Sequence, residues 1–294
     1  MLEFKKISID DKKIFDKYRS VDKTNCSESS FATLFIWNEY YNLETAENGE
    51  FFFIRFNKKG KPAEYFHPIG NGNIEKAIHL LDEYAKSRNE KLNFGLVSKE
   101  NAQKLKMILG SGFEFAQNRN CADYIYLSEK LIALSGRKLH SKKNHYNYFV
   151  ENYNYTYTPV EDAELLNKCA QKAYAWVLAK EKNKNSFEIG AMRAYFENYG
   201  ALKQKGAVIT VDGEVVAMSF GEKINDDCAL IQIELADESY RGAYQAINKL
   251  FCEKEWKDCT YINREEDMGI EGLRRAKESY MPVELAEKYF ITQK

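Results

Sequence analysis

Strand-period and helix-period apolar segments follow one another twice along this chain in the same order, a recurrence that constrains the fold more than any single motif does. In the first half, Asp10–Asp11 cap a short helix with Ile14, Phe15 and Tyr18 on one face. Ser29–Ser30 open a second helix, with Phe31, Leu34 and Phe35 at helical spacing. Glu50–Asn57 reads as a strand and Lys58–Lys61 as a turn leading to Glu64–Pro68. Asn73 caps an amphipathic helix carrying Ile74, Ala77, Ile78, Leu81, Tyr84 and Ala85. Leu92–Val97 is a strand, Lys99–Leu109 a helix stopped by Gly110, and Phe113–Ala116 and Asp123–Leu127 close the half as strands. In the second half, Asp162–Lys180 and Glu188–Tyr199 are helices, the latter closed by Gly200. Ala207–Val211 and Glu214–Ile224 flank Asp212-Gly213, the dipeptide of a type I′ hairpin turn. Cys228–Ala236, Thr260–Arg264 and Ala286–Ile291 are strands, separated by helices over Arg241–Trp256 and Gly269–Tyr280. No residue-level repeat accompanies this order. The pattern predicts an α/β chain built as two copies of one layout, each with its own mixed (α+β) sheet. The expected domains are 1–130 and 159–294, joined by a basic connecting helix over 131–158.

Hydrophobic residues make up 44% of the 294 and aromatic residues 14%, which excludes wholesale disorder. Basic and acidic side chains nearly cancel, 43 against 44, so a protein that coats nucleic acid by bulk charge is excluded. Any such partner must meet a local patch. No run approaches the ~18–20 apolar residues of a membrane span, and Met1–Lys6 lacks the apolar stretch of a signal peptide. The expectation is a cytoplasmic chain without an integral membrane segment or peripheral membrane contact. The six cysteines are scattered with no C-x-x-C and the four histidines lie away from them, so reduced thiols and no metal are expected. No P-loop, G-x-G-x-x-G, nucleophile elbow or H-E-x-x-H occurs, which leaves nucleotide hydrolysis, classical NAD binding, serine hydrolysis and zinc proteolysis without support.

Three polar clusters could carry chemistry. In Tyr261–Tyr280 a strand ends at Asn263–Arg264, an acidic turn of Glu265, Glu266 and Asp267 follows, and a helix then presents Arg274 and Lys277 three residues apart. Ile270, Leu273 and Ala276 are its expected sheet-facing residues. Carboxylates at a helix start also suit the macrodipole, and an Arg-Arg-x-Lys run also suits a solvated face. On the strand Cys228–Ala236, alternation puts Ile231, Ile233 and Leu235 on one face and Gln232 and Glu234 on the other. Glu234 is thus either a paired structural carboxylate or a general base. Arg241-Gly242-Ala243 opens a helix and offers backbone N–H groups to a phosphate. Arg137–His145 is the most basic stretch, suited to a phosphate or to a solvated junction helix.

Hairpin, strand, Gly-containing turn, helix, strand, helix, strand is the order of a GNAT acyltransferase core, which the chain resembles. The segments Asp123-Tyr-Ile-Tyr126, Gly136–Asn144 and Ile262–Pro282 are similar to one family in particular, the C-terminal domain of phosphatidylglycerol lysyltransferases and its stand-alone bacterial relatives. The resemblance spans nearly the whole chain. It implies tandem GNAT-like domains akin to Fem-type aminoacyl transferases, and transfer of an aminoacyl group from charged tRNA to an amine or hydroxyl, without metal. The matched positions are Asp123, Lys142, Lys143, Asn144, Glu234, Asn263, Arg264, Glu265, Asp267, Gly269, Arg274, Lys277 and Tyr280. The 294 residues contain no counterpart of the membrane-embedded half of full-length lysyltransferases, and Arg241-Gly242-Ala243 stands where GNAT enzymes usually carry a glycine-rich pyrophosphate loop.

The expectation is therefore an acyl- or aminoacyltransferase with its site in the second domain. Glu234 or Asp267 would take the acceptor's proton. Arg264, Arg274 and Lys277 would hold a substrate carboxylate or phosphate, with Asn263, Tyr280, Arg241, Gly242, Lys142 and Lys143 completing the substrate site. No cofactor is expected; aminoacyl-tRNA or acyl-CoA would be the donor substrate. Lys138, Lys142 and Lys143 would lie beside the cleft and steer an anionic donor. The alternative is a non-enzymatic GNAT-like module that binds an amino acid, a nucleotide or an RNA end.

Overall fold

The computed structural model describes residues 2–20, 24–180 and 187–294. The chain runs β1 (Lys5–Lys6), α1 (Asp11–Arg19), α2 (Phe31–Ile36), α3 (Asn38–Tyr41), β2 (Glu44–Glu47), β3 (Phe51–Phe56), β4 (Glu64–Tyr65), β5 (Ile69–Gly70), α4 (Ile74–Ser87), β6 (Phe94–Ser98), α5 (Lys99–Leu109) and β7 (Phe113–Gln117). It continues through β8 (Asp123–Leu127), α6 (Ser128–Ala133), α7 (His140–Asn152), β9 (Tyr155–Pro159), α8 (Ala163–Lys180), α9 (Phe187–Glu197), β10 (Lys205–Val211), β11 (Glu214–Lys223) and β12 (Cys228–Ala236). Last come α10 (Ala243–Glu255), β13 (Tyr261–Asn263), α11 (Glu271–Glu278), β14 (Glu284–Ala286) and β15 (Lys288–Gln293). These elements form two compact units, Met1–Ala122 with Ala286–Lys294, and Asp123–Leu285.

The first unit is built on a sheet of order β1-β2-β3-β4-β6-β15-β7, with β5 also paired to β3. Strand β3 (FFFIRF) is buried along its whole length. Its one charged residue, Arg55, is matched by Glu44 at 2.5 Å and Glu90 at 2.7 Å. Phe51, Phe53, Tyr65 and Phe94 pack against Ala77, Ile78, Leu81 and Ala85 of α4. That helix starts at Asn73, whose side-chain oxygen accepts the Lys76 N–H at 3.0 Å.

The second unit has the sheet order β14-β8-β13-β12-β11-β10-β9. Asp212 and Gly213 have φ of 51° and 83°, the left-handed pair that a type I′ turn between β10 and β11 requires. Helix α10 lies on one face: Ala246, Ile247 and Leu250 meet Ile209, Val216 and Ala217, and Phe251 meets Ala229, Ile231 and Ile262. On the other face Phe220 packs edge-on against Tyr195, Phe196 and Tyr199.

Three features depart from local pattern reading. Strand β8 belongs to the second sheet, antiparallel to β13, and β15 belongs to the first, between β6 and β7. The division thus falls at 122/123 and near 286 rather than at 130 and 159. Tyr124 and Tyr126 are wholly buried with hydroxyls bonded to Asp267 and to the Lys277 carbonyl, partners that exist only in the second unit. Helix α7, expected as a connector, is part of the second unit, with Phe149 fully buried among α10-facing residues. Finally, Phe220 pairs with Ile233 but Gly221 pairs with Ile231, so Gln232 is an extra residue in β12. This bulge breaks the expected alternation: Ile231 and Glu234 share the α10 face.

Because β15 is the shared partner of β6 and β7, truncation after Glu287 should expose both edges. Amide hydrogen exchange is expected to show lost protection over Phe94–Ser98 and Phe113–Gln117, with β10–β12 still protected.

Candidate functional site

Strands β12 and β13 run parallel, but their pairing ends at Leu230 with Asn263. Strand β12 continues for six residues to Ala236, whereas the chain leaves β13 at Arg264 and turns away. The gap is spanned by side chains. The Arg264 guanidinium donates through Nη2 to Glu234 Oε1 at 2.6 Å, and the other carboxylate oxygen accepts from Asn248 Nδ2 of α10 at 2.8 Å. The two charged side chains are nearly sealed from solvent, at 14% and 12% exposure. Arg264 lies over the Tyr280 ring, 4.7 Å from its centroid, and 5.5 Å from that of Tyr126. Lys142 of α7 sits on the same Tyr280 ring at 4.5 Å. Its ammonium has no carboxylate partner among the described residues, and burial, followed by Arg264, lowers its pKa. Burial also pushes the Tyr280 phenol up to about 12.

Three buried polar atoms around this pair have no hydrogen-bond partner among the described residues: Arg264 Nη1, Asn248 Oδ1 and Ser219 Oγ. Ser219 is directly opposite Glu234 on β11. The site therefore holds one carboxylate bridged to Arg264, a second cation without a carboxylate partner among the described residues, and donor and acceptor capacity in reserve, an arrangement fitted to an anionic or dipolar group. Asn248 and Ser219 escaped the sequence reading. The available signal was a polar residue inside the apolar face of α10 (Ile247, Leu250, Phe251), and a serine amid the apolar run Val215–Phe220.

The N-terminus of α10 is occupied differently. Gly242 has φ 91°, and a Cβ there would lie 2.1 Å from the His145 carbonyl oxygen. Arg241 stacks 4.3 Å over Tyr148. Helix α7 thus packs directly on the turn expected to cradle a phosphate, and both Arg241 and Gly242 make their contacts with that helix. Lys138 and Lys143 are exposed.

A family model described as phosphatidylglycerol lysyltransferase, C-terminal, matches residues 19–292. The chain belongs to that family. A conserved protein of unknown function from Bacteroides thetaiotaomicron has the same fold over 100% of both chains, with 34% identity and a TM-score of 0.92. L-PGS from Bacillus licheniformis aligns over 92% of this chain and 94% of its own, with 18% identity and a TM-score of 0.65. A tandem GNAT protein from the clavulanic acid biosynthesis pathway aligns over 100% and 98%, with 10% identity and a TM-score of 0.51, which places the fold as tandem GNAT. An uncharacterized protein of Mycoplasmoides gallisepticum is 25% identical over 184 residues, 59% of this chain and 57% of that protein. The chain thus spans little more than half the length of that curated relative. No helix of the described residues is long and apolar enough to cross a membrane.

In this lysyltransferase-family domain, the rest of the polar segment after β13 serves the backbone. Asp267 is 0% exposed and accepts from Tyr124 Oη at 2.6 Å, the Gly269 N–H at 2.8 Å and Arg274 Nε and Nη2 at 2.8 and 2.9 Å. Asn263 accepts the Glu265 N–H at 2.6 Å and donates to Asp123 at 3.0 Å. Lys277 donates to the carbonyls of Arg264, Glu265 and Glu266. Helix α11 accordingly turns Arg274 and Lys277 inward and leaves Ile270 and Ala276 exposed, so that of the expected apolar face only Leu273 is half-buried. The turn's carbonyls and the buried carboxylate need cations more than the sheet needs two aliphatic side chains.

Burial alone raises the Asp267 carboxyl, but hydrogen bonds from Arg274, Tyr124 and Gly269 hold it well below its ordinary 3.8. A depressed folded-state pKa contributes stability above pH ~3.8, which is lost as pH falls toward the folded value. Asp267→Asn is expected to cost about 3–5 kcal/mol at pH 7 in urea unfolding. The difference from the parent chain should shrink below pH 4, where the parent loses the same contribution.

Proposed function

We propose that this chain is an acyltransferase of the aminoacyl type, working in the gap between β12 and β13. The observation that carries the reading is the sealed Glu234–Arg264 bridge beside an unpartnered Arg264 Nη1 and the uncompensated Lys142. In the reaction, the acceptor's amine or hydroxyl forms a bond to the donor's ester carbonyl carbon. The ester C–O bond breaks, and the departing alcohol leaves with a proton. Glu234 is the carboxylate suited to receive the acceptor's proton, since each oxygen engages one neighbour and keeps lone-pair capacity, whereas Asp267 is committed to Arg274, Tyr124 and Gly269. Arg264 Nη1 and Lys142 would hold an anionic group of the donor, and the edge of β12 beyond Leu230 would orient the carbonyl through its main chain.

Contact of Gly242 with the His145 carbonyl fills the helix start where the pyrophosphate of an acyl-CoA would need room, and so favours an aminoacyl ester, with aminoacyl-tRNA as the donor, over acyl-CoA. The basic residues of α7 would then serve a polyanionic donor.

Incubation with a panel of aminoacyl-tRNAs, acyl-CoAs and amine or hydroxyl acceptors tests this directly. Product is expected from an aminoacyl-tRNA, falling at least about 100-fold in kcat/KM with Arg264→Ala and Glu234→Gln. Unchanged turnover in both variants would remove the assignment, and a ligand that raises the melting temperature with no product would make the domain a binding module. Charge reversal at Lys142 and Lys143 should weaken donor binding, by a larger factor at low salt than at high salt.

A further inference from the structure

Lys277 is only 8% exposed, yet among the described residues its ammonium is in contact with no carboxylate. It donates instead to three consecutive main-chain carbonyls, those of Arg264, Glu265 and Glu266, the last two at 3.1 and 2.6 Å. Three carbonyls in sequence converge on one point where Glu265, the middle residue of the three, takes left-handed backbone at φ 54°; the turn returns to that region at Met268 and Gly269, φ 52° and 76°. Side chains other than glycine resist that conformation, and converging carbonyl dipoles repel one another. A cation at the focus offsets both. The first carbonyl in the set is that of Arg264, whose N–H is held by the Tyr124 carbonyl at 3.0 Å. Its backbone is thus fixed from both sides, and from that anchorage its guanidinium reaches Glu234.

We propose that Lys277 works as a tethered monovalent cation: a positioning residue that holds the Arg264 turn closed so that the guanidinium spans the gap to Glu234. The site it occupies is a carbonyl cage matched to an ammonium or potassium ion, which a free ion can fill when the side chain is removed. This deepens the transferase reading, on which the use of Arg264 rests, but it can be tested without any substrate.

The test compares the full chain with Lys277→Ala and Lys277→Met, following the melting temperature and the side-chain Nε resonance of Arg264 in ¹⁵N-arginine-labelled protein, assigned with Arg264→Lys. Lys277→Ala is expected to lower the melting temperature by roughly 5 °C or more and to displace the Arg264 resonance. Ammonium or potassium chloride at tens of millimolar should restore both, while choline chloride at equal ionic strength should restore neither. Lys277→Met, which fills the cage with an apolar chain, should stay unrescued. An Arg264 resonance unmoved in Lys277→Ala overturns the proposal, as does restoration by choline or failure of both small cations. Should Lys277→Ala not fold, Lys277→Gln supplies amide donors without charge. The proposal then requires a displaced Arg264 resonance in that variant, and a native one overturns it. Inorganic phosphate binding by the parent chain, measured in parallel, separates the two readings. If the cation rescue holds while phosphate does not bind, the cage stands and the anion site at Arg264 falls.

Discussion

Parallel pairing between β12 and β13 stops after Leu230 and Asn263, and the second unit is organised around that stop. A strand that runs on without its neighbour leaves main-chain donors and acceptors to be met by something other than a sheet. Here the chain sends Arg264 across to Glu234, backed by Asn248 from the helix above and by the faces of Tyr126 and Tyr280. An ion pair this enclosed loses much of its hydration, and its mutual attraction roughly offsets that cost rather than adding a large surplus. Its presence is better understood as a fixed arrangement of charge than as a source of stability. The bulge at Gln232 belongs to the same arrangement, since without the extra residue Glu234 would face α9 instead of α10.

Around this bridge, the segment from Asn263 to Tyr280 shows how a run of polar residues can be buried and still be structural. Asp267, Asn263, Arg274 and Lys277 bond to one another's side chains, to the backbone of the turn or to β8, and together they hold a turn with two non-glycine residues at positive φ. Such density of charge in a sequence invites a substrate-binding reading. The geometry splits it into two roles: Arg264 and Tyr280 line the gap, while Asp267, Asn263, Arg274 and Lys277 hold the turn from which Arg264 reaches it.

Local signals in the sequence specify the structure where one residue decides the outcome. Asp212-Gly213 makes the primed turn, Asn73 caps α4, and Gly110, at φ 62°, ends α5. The polar cluster around Arg264 was also legible, as was the need of Glu234, a carboxylate within an apolar strand, for a cation or a proton, but not that Arg264 is that cation. What period and propensity do not encode is which sheet a strand joins. Strands β8 and β15 read as ordinary closing strands, and only long-range partners, Asp267 for Tyr124 and Ser27 and Glu28 for Lys288, fix where each belongs. Alternation failed at β12 for a similar reason, as one inserted residue exchanges the faces of everything beyond it. Helix α11 departs from its apolar pattern because Arg274 and Lys277 are drawn inward by the turn, leaving Ile270 and Ala276 to solvent.

The place of β15 in the first sheet has a consequence for the order in which the molecule can be completed. On a ribosome, β6 and β7 emerge early, yet the strand that joins them is made only after the whole of Asp123–Leu285. The second unit, contiguous in sequence, has all its strands in hand while the first still lacks the strand that ties β7 to the rest of its sheet. Until then β6 and β7 present open main-chain edges of the kind that attract other strands. Vectorial synthesis thus gives the downstream unit the first chance to fold and leaves the upstream one to finish last, inverting the usual N-terminal-first sequence of a two-domain chain.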